Sequence, residues 1–265
     1  MRKIYSTLLL QEKNTNMLLS VIIITKNESQ QIARCLESVL WADEIIILDS
    51  GSSDNTVAIC QQYTSYVYQT DWLGFGVQKQ RALDKAQGDW VLSIDADEYV
   101  STALKLEIQQ SIQQTIIQGF EIPRLSSYCG KNMKHGGWWP DYVLRLFQRH
   151  TGHFTSDLVH EKILLSGKIG QLTQPLLHET YINLDEVLGK VNSYSSLGAT
   201  ELYKKGKTSS LHKAILKGIW TFFRTYIIQA SFLEGTQGFM LAISNAETTY
   251  YKYLKLLEIQ NNHQK

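Results

Sequence analysis

The sequence predicts an α/β fold, a mainly parallel sheet flanked by helices and followed by a helical appendage. Residues 18–24, 44–48 and 90–94 are short, continuous apolar runs rich in β-branched side chains. Such runs mark strands buried on both faces, hence parallel and interior. Segments of helical period lie between them, for example Ile32, Leu36, Val39 and Leu40. Polar residues gather directly after each run: 25–28, 49–52 and 95–98. In an open α/β sheet the ligand crevice lies beyond the carboxyl ends of the strands.

Residues 1–16 hold a short apolar stretch broken by Tyr5, Ser6 and Thr7, with no small-residue cleavage site after it. They read as an extension rather than a signal peptide, with the fold starting at Met17. Residues 18–24 form the first strand, 27–41 a helix and 44–48 the second strand. A turn at 49–54 leads to a helix over 55–63, a short strand at 67–69 and a helix over 77–86. Gly88 and Asp89 introduce the third buried strand, 90–94. Residues 120–125 and 142–148 read as further strands, and 185–260 as mainly helical. The division expected is an extension at 1–16, an α/β unit at 17–185 and a helical region at 186–265. No stretch of about 20 uncharged apolar residues exists to span a bilayer. The nearest, 211–228, carries His212, Lys213, Lys217 and Arg224.

In 265 residues, 43% are hydrophobic and 19% charged, which excludes a disordered or collagen-like chain. Cys35, Cys60 and Cys129 lack the spacing of a thiolate metal site or a disulfide framework. The net charge of +1 argues against a nucleic-acid binder. That charge is uneven. Residues 17–125 hold seven Lys/Arg against fourteen Asp/Glu, whereas residues 200–265 hold nine against four. An acidic front suits a metal or sugar site, and a basic, aromatic tail suits an anionic partner.

Asp95-Ala96-Asp97-Glu98 follows a buried strand. Two carboxylates one residue apart at a sheet edge can hold Mg²⁺ or Mn²⁺, hard ions that keep open positions for phosphates. A solvated loop or a helix cap is the plainer reading. Asp54 reads as the cap of the helix after it. Asp49, at the end of the second strand, is placed to accept hydrogen bonds from a base or a ribose hydroxyl. Thr25 and Asn27 can offer groups to a base, and Glu28 serves either the site or the start of a helix.

Taken together, VIIITKNES, DEIIILDSGSSDNT and GDWVLSIDADE, in this order and spacing, resemble the family 2 glycosyltransferases of GT-A fold. No GxGxxG follows the first strand and no GK[ST] loop is present, against a dinucleotide-binding or P-loop enzyme. WLGFGVQK at 72–79, PDYVLRLF at 140–147, DLVHE at 157–161 and PLLH at 175–178 extend the resemblance to the bacterial lipopolysaccharide core β-1,4-glucosyltransferases. It runs from about residue 17 to 257. It implies a UDP-sugar donor, an inner-core heptose acceptor and a cytoplasmic enzyme peripheral on the inner face of the inner membrane.

By the same resemblance Asp49 contacts the base, Asp95 the ribose or sugar, and Asp97 the metal. His178 would complete the metal site or be an ordinary structural histidine. Lys79 lies either near the donor or on a helix surface. Inversion by direct displacement needs a carboxylate to take the acceptor proton. Glu161 is the first candidate, Asp157 the second and Asp141 the third, with helix capping the other reading of Asp157 and His160 helping to shape the site beside Glu161.

Arg145 and Arg149 share parity on their strand, so both would face one side. They suit phosphate on donor or acceptor, or a solvated face. Trp138 could stack on a sugar or pack in the core. The tail from Lys204 to Ile228 suits an anionic membrane surface or simple helix packing. Two other readings are a family 2 enzyme with another glycan or a peptide as acceptor and a non-catalytic nucleotide-sugar-binding protein. A sugar-phosphate nucleotidyltransferase would need a Gly-rich basic loop that 25–28 does not provide.

Overall fold

A computed structural model describes residues 17–114, 116–156 and 162–262. The chain order begins β1 (Leu19–Thr25), α1 (Ile32–Val39), β2 (Glu44–Asp49), α2 (Thr56–Cys60), β3 (Val67–Gln69), α3 (Phe75–Leu83), β4 (Trp90–Asp95), β5 (Glu98–Val100) and α4 (Thr102–Ser111). It continues with β6 (Gly119–Tyr128), β7 (Lys131–Asn132), β8 (Asp141–Gln148), β9 (Gly152–Phe154), β10 (Ile163–Leu165), β11 (Ile169–Gln171) and β12 (Leu176–Tyr181). The helices α5 (Leu184–Lys204), α6 (Leu211–Phe223) and α7 (Thr236–Asn262) follow. A π turn at Arg224–Ile228 and a 3-10 turn at Ser231–Glu234 join the last two.

The main sheet runs β3-β2-β1-β4-β8-β6-β12-β5. Its first half is parallel, as the apolar runs predict: β1 pairs with β2 on one side and β4 on the other. All seven residues of β1 are buried. Beyond β4 the sheet is mixed, with β8 antiparallel to both β4 and β6, and β12 parallel to β6. The sequence prefigures this change of pattern, because β6 and β8 mix polar residues and a proline among their apolar ones.

The core lies on both faces of β1, β2 and β4. One face packs Val21, Ile23, Ile47 and Leu92 against α1 residues Ile32, Leu36 and Val39. The other packs Ile22, Ile46 and Val91 against Ala82, Leu83 and Phe147. At full burial each such side chain contributes roughly 1.5–3 kcal/mol. Gly88 is required before β4, since a Cβ there would stand 2.7 Å from Ser20 N and 2.9 Å from Leu18 O. Its N–H donates to Ser20 Oγ at 2.8 Å.

The helices form early or late by a turn relative to expectation. The first begins at Ile32 rather than near Asn27, because Asn27 stands at φ +57° and breaks the helical path. The third begins at Phe75, directly after Gly74 at φ +105°. The carboxy-terminal helices pack on one another. Lys255 Nζ on α7 donates to Asn192, Ser195 and Ser196 on α5 at 2.7–3.0 Å. Gly218 lets α6 approach Tyr250 of α7, where a Cβ would meet the tyrosine Cβ at 3.2 Å. Among the described residues no helix is long and apolar enough to cross a membrane.

Candidate active site

The carboxyl ends of β1 and β4, the start of α3, and the strands β6 and β12 open onto one cleft of about 600 Å³. Thr25, Glu28, Lys79, Asp95, Asp97 and His178, drawn from four separate segments of sequence, line it. The sheet register explains the gathering. Thr25 pairs with Asp49 and Ile24 with Asp95, so the ends of β1, β2 and β4 are level, and His178 pairs with Glu98, three residues beyond Asp95.

The turn Asp95–Glu98 is held by buried charge. Lys79 Nζ lies 2.9 Å from Asp95 Oδ1, and Arg145 donates to Asp95 Oδ2 at 2.6 Å. Burial opposes the charged form of Asp95, but the Arg145 and Lys79 cations outweigh it and hold the carboxyl well below its usual range. Lys79 is only 4% exposed, so the helix-surface reading of that lysine fails. Glu98 is fully buried; it accepts the Asp95 N–H at 2.9 Å and an Arg145 N–H at 2.7 Å. Burial, more than its neighbours, pushes the Glu98 carboxyl upward.

Asp97 and His178 face each other. Asp97 Oδ2 is 3.1 Å from His178 Nε2. His178 Nδ1 lies 2.9 Å from Ser126 Oγ and 3.1 Å from Thr180 Oγ1, which fix the ring plane. Asp97 and His178 present a carboxylate oxygen and an imidazole nitrogen to the cleft and would be the pair to hold a divalent cation. The hydroxyls behind the ring would set its tautomer. Among the described residues no group of three His, Cys, Asp or Glu side chains is placed to hold a metal by itself. Glu28 also borders the cleft; burial first, then the Asp97 charge, pushes its carboxyl up to about 7, against the pull of Lys190.

Several expected residues stand elsewhere. Asp49 is fully buried and turned into its own loop: it accepts from Gly51 N at 3.0 Å, from Ser52 N at 2.9 Å and from Ser52 Oγ. It does not border the cleft in this arrangement. Asn27 likewise ties loop to loop, accepting from Ser53 N and donating its own N–H to Ser52 Oγ, both at 2.8 Å. Asp54 is not the cap of α2, a position held by Asn55; it accepts from Thr56 N at 3.0 Å, while its other oxygen accepts from Ser29 N at 3.2 Å and ties the two loops together. Thr25 does reach the cleft, and its buried hydroxyl has no hydrogen-bond partner among the described residues.

Arg145 and Arg149 do not share a solvated or phosphate-binding face. Arg145 is buried between two carboxylates, whereas Arg149 lies beyond the end of β8 and donates to Gly88 O at 2.9 Å. Trp138 packs against Tyr128 and Tyr181 in a separate aromatic cluster, with ring centroids 5.9 and 6.2 Å away, rather than in the cleft. Asp141 pairs with Arg124 at 2.6 Å and does not border the cleft. Asp157, His160 and Glu161 lie outside the described residues, as does the extension at 1–16.

The cleft also contains residues that pattern reading did not single out as site residues. Trp72 and Phe75, edge to face with centroids 4.8 Å apart, form an exposed rim. Lys26 and Arg124 supply cations, and α5 adds Lys190 and Tyr194. The last two stand four apart on one helix face, the one periodic signal that could have found them.

The family described as Glycosyl transferase family 2 matches residues 20–151, the span that builds the parallel half of the sheet and both acidic turns. An uncharacterized glycosyltransferase of Rickettsia conorii is 32% identical over 254 residues, 91% of this chain and 90% of its own. The lipopolysaccharide core biosynthesis glycosyltransferase LpsC of Rhizobium meliloti is 32% identical over 259 residues, 92% of this chain and 93% of its own. Among solved structures, residues 1–349 of S. aureus TarS superpose with a TM-score of 0.46 at 15% identity, covering 93% of this chain and 92% of that one. The mixed sheet flanked by helices, with a cleft at the carboxyl ends of its parallel strands, agrees with the α/β fold that the sequence predicts. With relatives aligned over nine-tenths of its length, the chain belongs to glycosyltransferase family 2.

Proposed function

We propose that this glycosyltransferase moves a hexose, glucose in the first instance, from a UDP-sugar to an inner-core heptose of lipopolysaccharide, with a divalent cation and inversion at the anomeric carbon. One observation carries the reading: Asp97 and His178 face each other at 3.1 Å in the cleft that Asp95 and Lys79 share. The named role of LpsC, a relative aligned over nearly the whole chain, supports lipopolysaccharide core as the acceptor class.

Asp97 and His178 would hold Mg²⁺ or Mn²⁺. When bound there, the cation supplies neutralisation of the departing diphosphate. Asp95, kept ionised by Lys79 and Arg145, accepts hydrogen bonds from ribose or sugar hydroxyls. The Thr25 hydroxyl, otherwise without a partner, serves the nucleoside. Asp49 and Asn27 act one step back, by fixing the loop that borders the nucleoside. Glu161 takes the proton from the acceptor hydroxyl as the bond to the anomeric carbon forms, with Asp157 as its alternate.

The helical region supports peripheral contact with the inner face of the bacterial inner membrane. Leu216, Ile219, Trp220, Phe223, Ile228 and Leu233 are all exposed. Lys217 and Arg224 are exposed among them, the mixture that binds anionic lipid surfaces.

The test is transfer by the purified protein from UDP-glucose, UDP-galactose or ADP-heptose to heptose-terminated core, with and without Mn²⁺ or Mg²⁺. Metal-dependent glucose transfer is expected. Binding of UDP without transfer from any of these donors would move the acceptor to another glycan or a peptide. Absence of UDP binding would overturn the reading of the Asp95 and Asp97 turn. Sedimentation with phosphatidylglycerol vesicles, but not phosphatidylcholine vesicles, tests the membrane contact.

A further inference from the structure

Arg145 is a buried guanidinium, 5% exposed, and an uncompensated charge there would be strongly destabilising. Its NH2 nitrogen donates both to Asp95 Oδ2 at 2.6 Å and to Glu98 Oε1 at 2.7 Å. The other oxygen of Glu98 accepts the Asp95 backbone N–H at 2.9 Å. The other oxygen of Asp95 meets Lys79 at 2.9 Å. Each Asp95 oxygen therefore has its own buried cation, one from β8 and one from α3, and the backbone beneath it is pinned by Glu98. The antiparallel pairing of β8 with β4 fixes where Arg145 can stand.

We propose that Arg145, backed by Glu98, is a positioning residue: it locks the Asp95 carboxylate in the single orientation that meets the donor, and does not touch the donor itself. This rests on the donor-binding role proposed for Asp95. A charge pair that only stabilised the core would lower the melting temperature when broken and leave the donor affinity of the folded protein unchanged. A positioning residue acts through Asp95, so its effect vanishes once Asp95 can no longer perform.

The experiment is calorimetric titration of UDP-glucose with Mn²⁺ into wild type, Asp95→Asn, Arg145→Met and the double variant, each checked for a cooperative melt. Each single variant is expected to weaken binding by about tenfold or more, and the double variant to lie within about twofold of Asp95→Asn. Wild-type affinity in Arg145→Met, or a double variant as weak as the product of both losses, overturns the inference alone. Wild-type affinity in Asp95→Asn overturns the donor role of Asp95 and this inference with it. Should Arg145→Met not melt cooperatively, Arg145→Lys retains the buried charge. It should show a smaller loss in the wild-type background and none beside Asp95→Asn; an equal loss in both backgrounds overturns the proposal.

Discussion

Asp49 and Asp95 end the two strands that flank β1, level with Thr25 and Ile24, yet they do different work. Asp49 is satisfied from within its own turn, by two N–H groups and a hydroxyl two and three residues on. Asp95 is satisfied from afar, by cations 16 residues before it and 50 residues after it in sequence. A local ring of donors closes over a carboxylate and turns it into loop architecture. Remote cations fix a carboxylate from behind and leave the rest of its turn open to the cleft. The same residue type at the same strand position is closed into its own loop in one case and borders the cleft in the other.

That difference can be broken first at the neighbouring carboxylate of the open turn. Asp97→Asn should lower transfer by about 10²-fold or more, with its melting temperature little changed because the Asp97 side chain is partly exposed and, among the described residues, bonds to His178 alone. Unchanged turnover would remove the turn from the chemistry. The closed turn should behave in the opposite way. Asp49→Ala, losing three hydrogen bonds at a buried site, should cost about 2–4 kcal/mol in denaturant unfolding. Asp49→Asn, whose amide oxygen still accepts from Gly51 and Ser52, should cost well under half of that and leave turnover near wild type. Turnover lost in Asp49→Asn without a loss of stability would show that the loop opens to bind the base, and the contrast would fall.

A third test sharpens the geometry on which both carboxylates depend. Gly88→Ala places a Cβ against Ser20 N and Leu18 O, so unfolding should become easier by about 1–3 kcal/mol. The donor affinity of the folded fraction should hold, since β4 is displaced at its far end.

The smallest effect is one of pH, and it compares the cleft with the clamp on the helical region. Glu234 accepts from His135 Nδ1 at 2.7 Å and Lys134 N at 2.9 Å, and pairs with Lys131 at 3.0 Å. Burial would raise its pKa, but these bonds outweigh burial and lower it from 4.5 to about 2. The folded value lies below the unfolded one, so the clamp stabilises fully above about pH 5 and is lost as pH falls toward 2. In Glu234→Gln, unfolding followed from pH 6 to pH 2 should fall less steeply than in wild type. Equal slopes would show that the clamp contributes nothing that titrates.

Much of the site was legible because its signals are local. A buried strand followed by Asp-Ala-Asp-Glu needs no third dimension to be noticed. His178 was legible only by resemblance, and the structure brings it to Asp97 from 81 residues away. The errors share a cause. Strand parity placed Arg145 and Arg149 together, but Arg149 lies past the strand's end. An indole beside glycines suggested a sugar platform at Trp138, but Tyr128 and Tyr181 were near enough to enclose it. Alternation and residue type state what a side chain can do and not which neighbour arrives first.

By itself the sequence determined the parallel half of the sheet, the carboxyl edge as the site, the acidic turn at its centre and a helical, basic tail. These follow from hydrophobic period and strand polarity, which act over a few residues. Only the tertiary structure decided which carboxylates face the cleft. Cations from α3 and β8 reach Asp95, backbone N–H groups reach Asp49, and α5 brings Lys190 and Tyr194 across. Those partners are set by sheet register and helix docking, contacts between residues far apart in sequence, and the energy of a buried charge depends on which of them arrives.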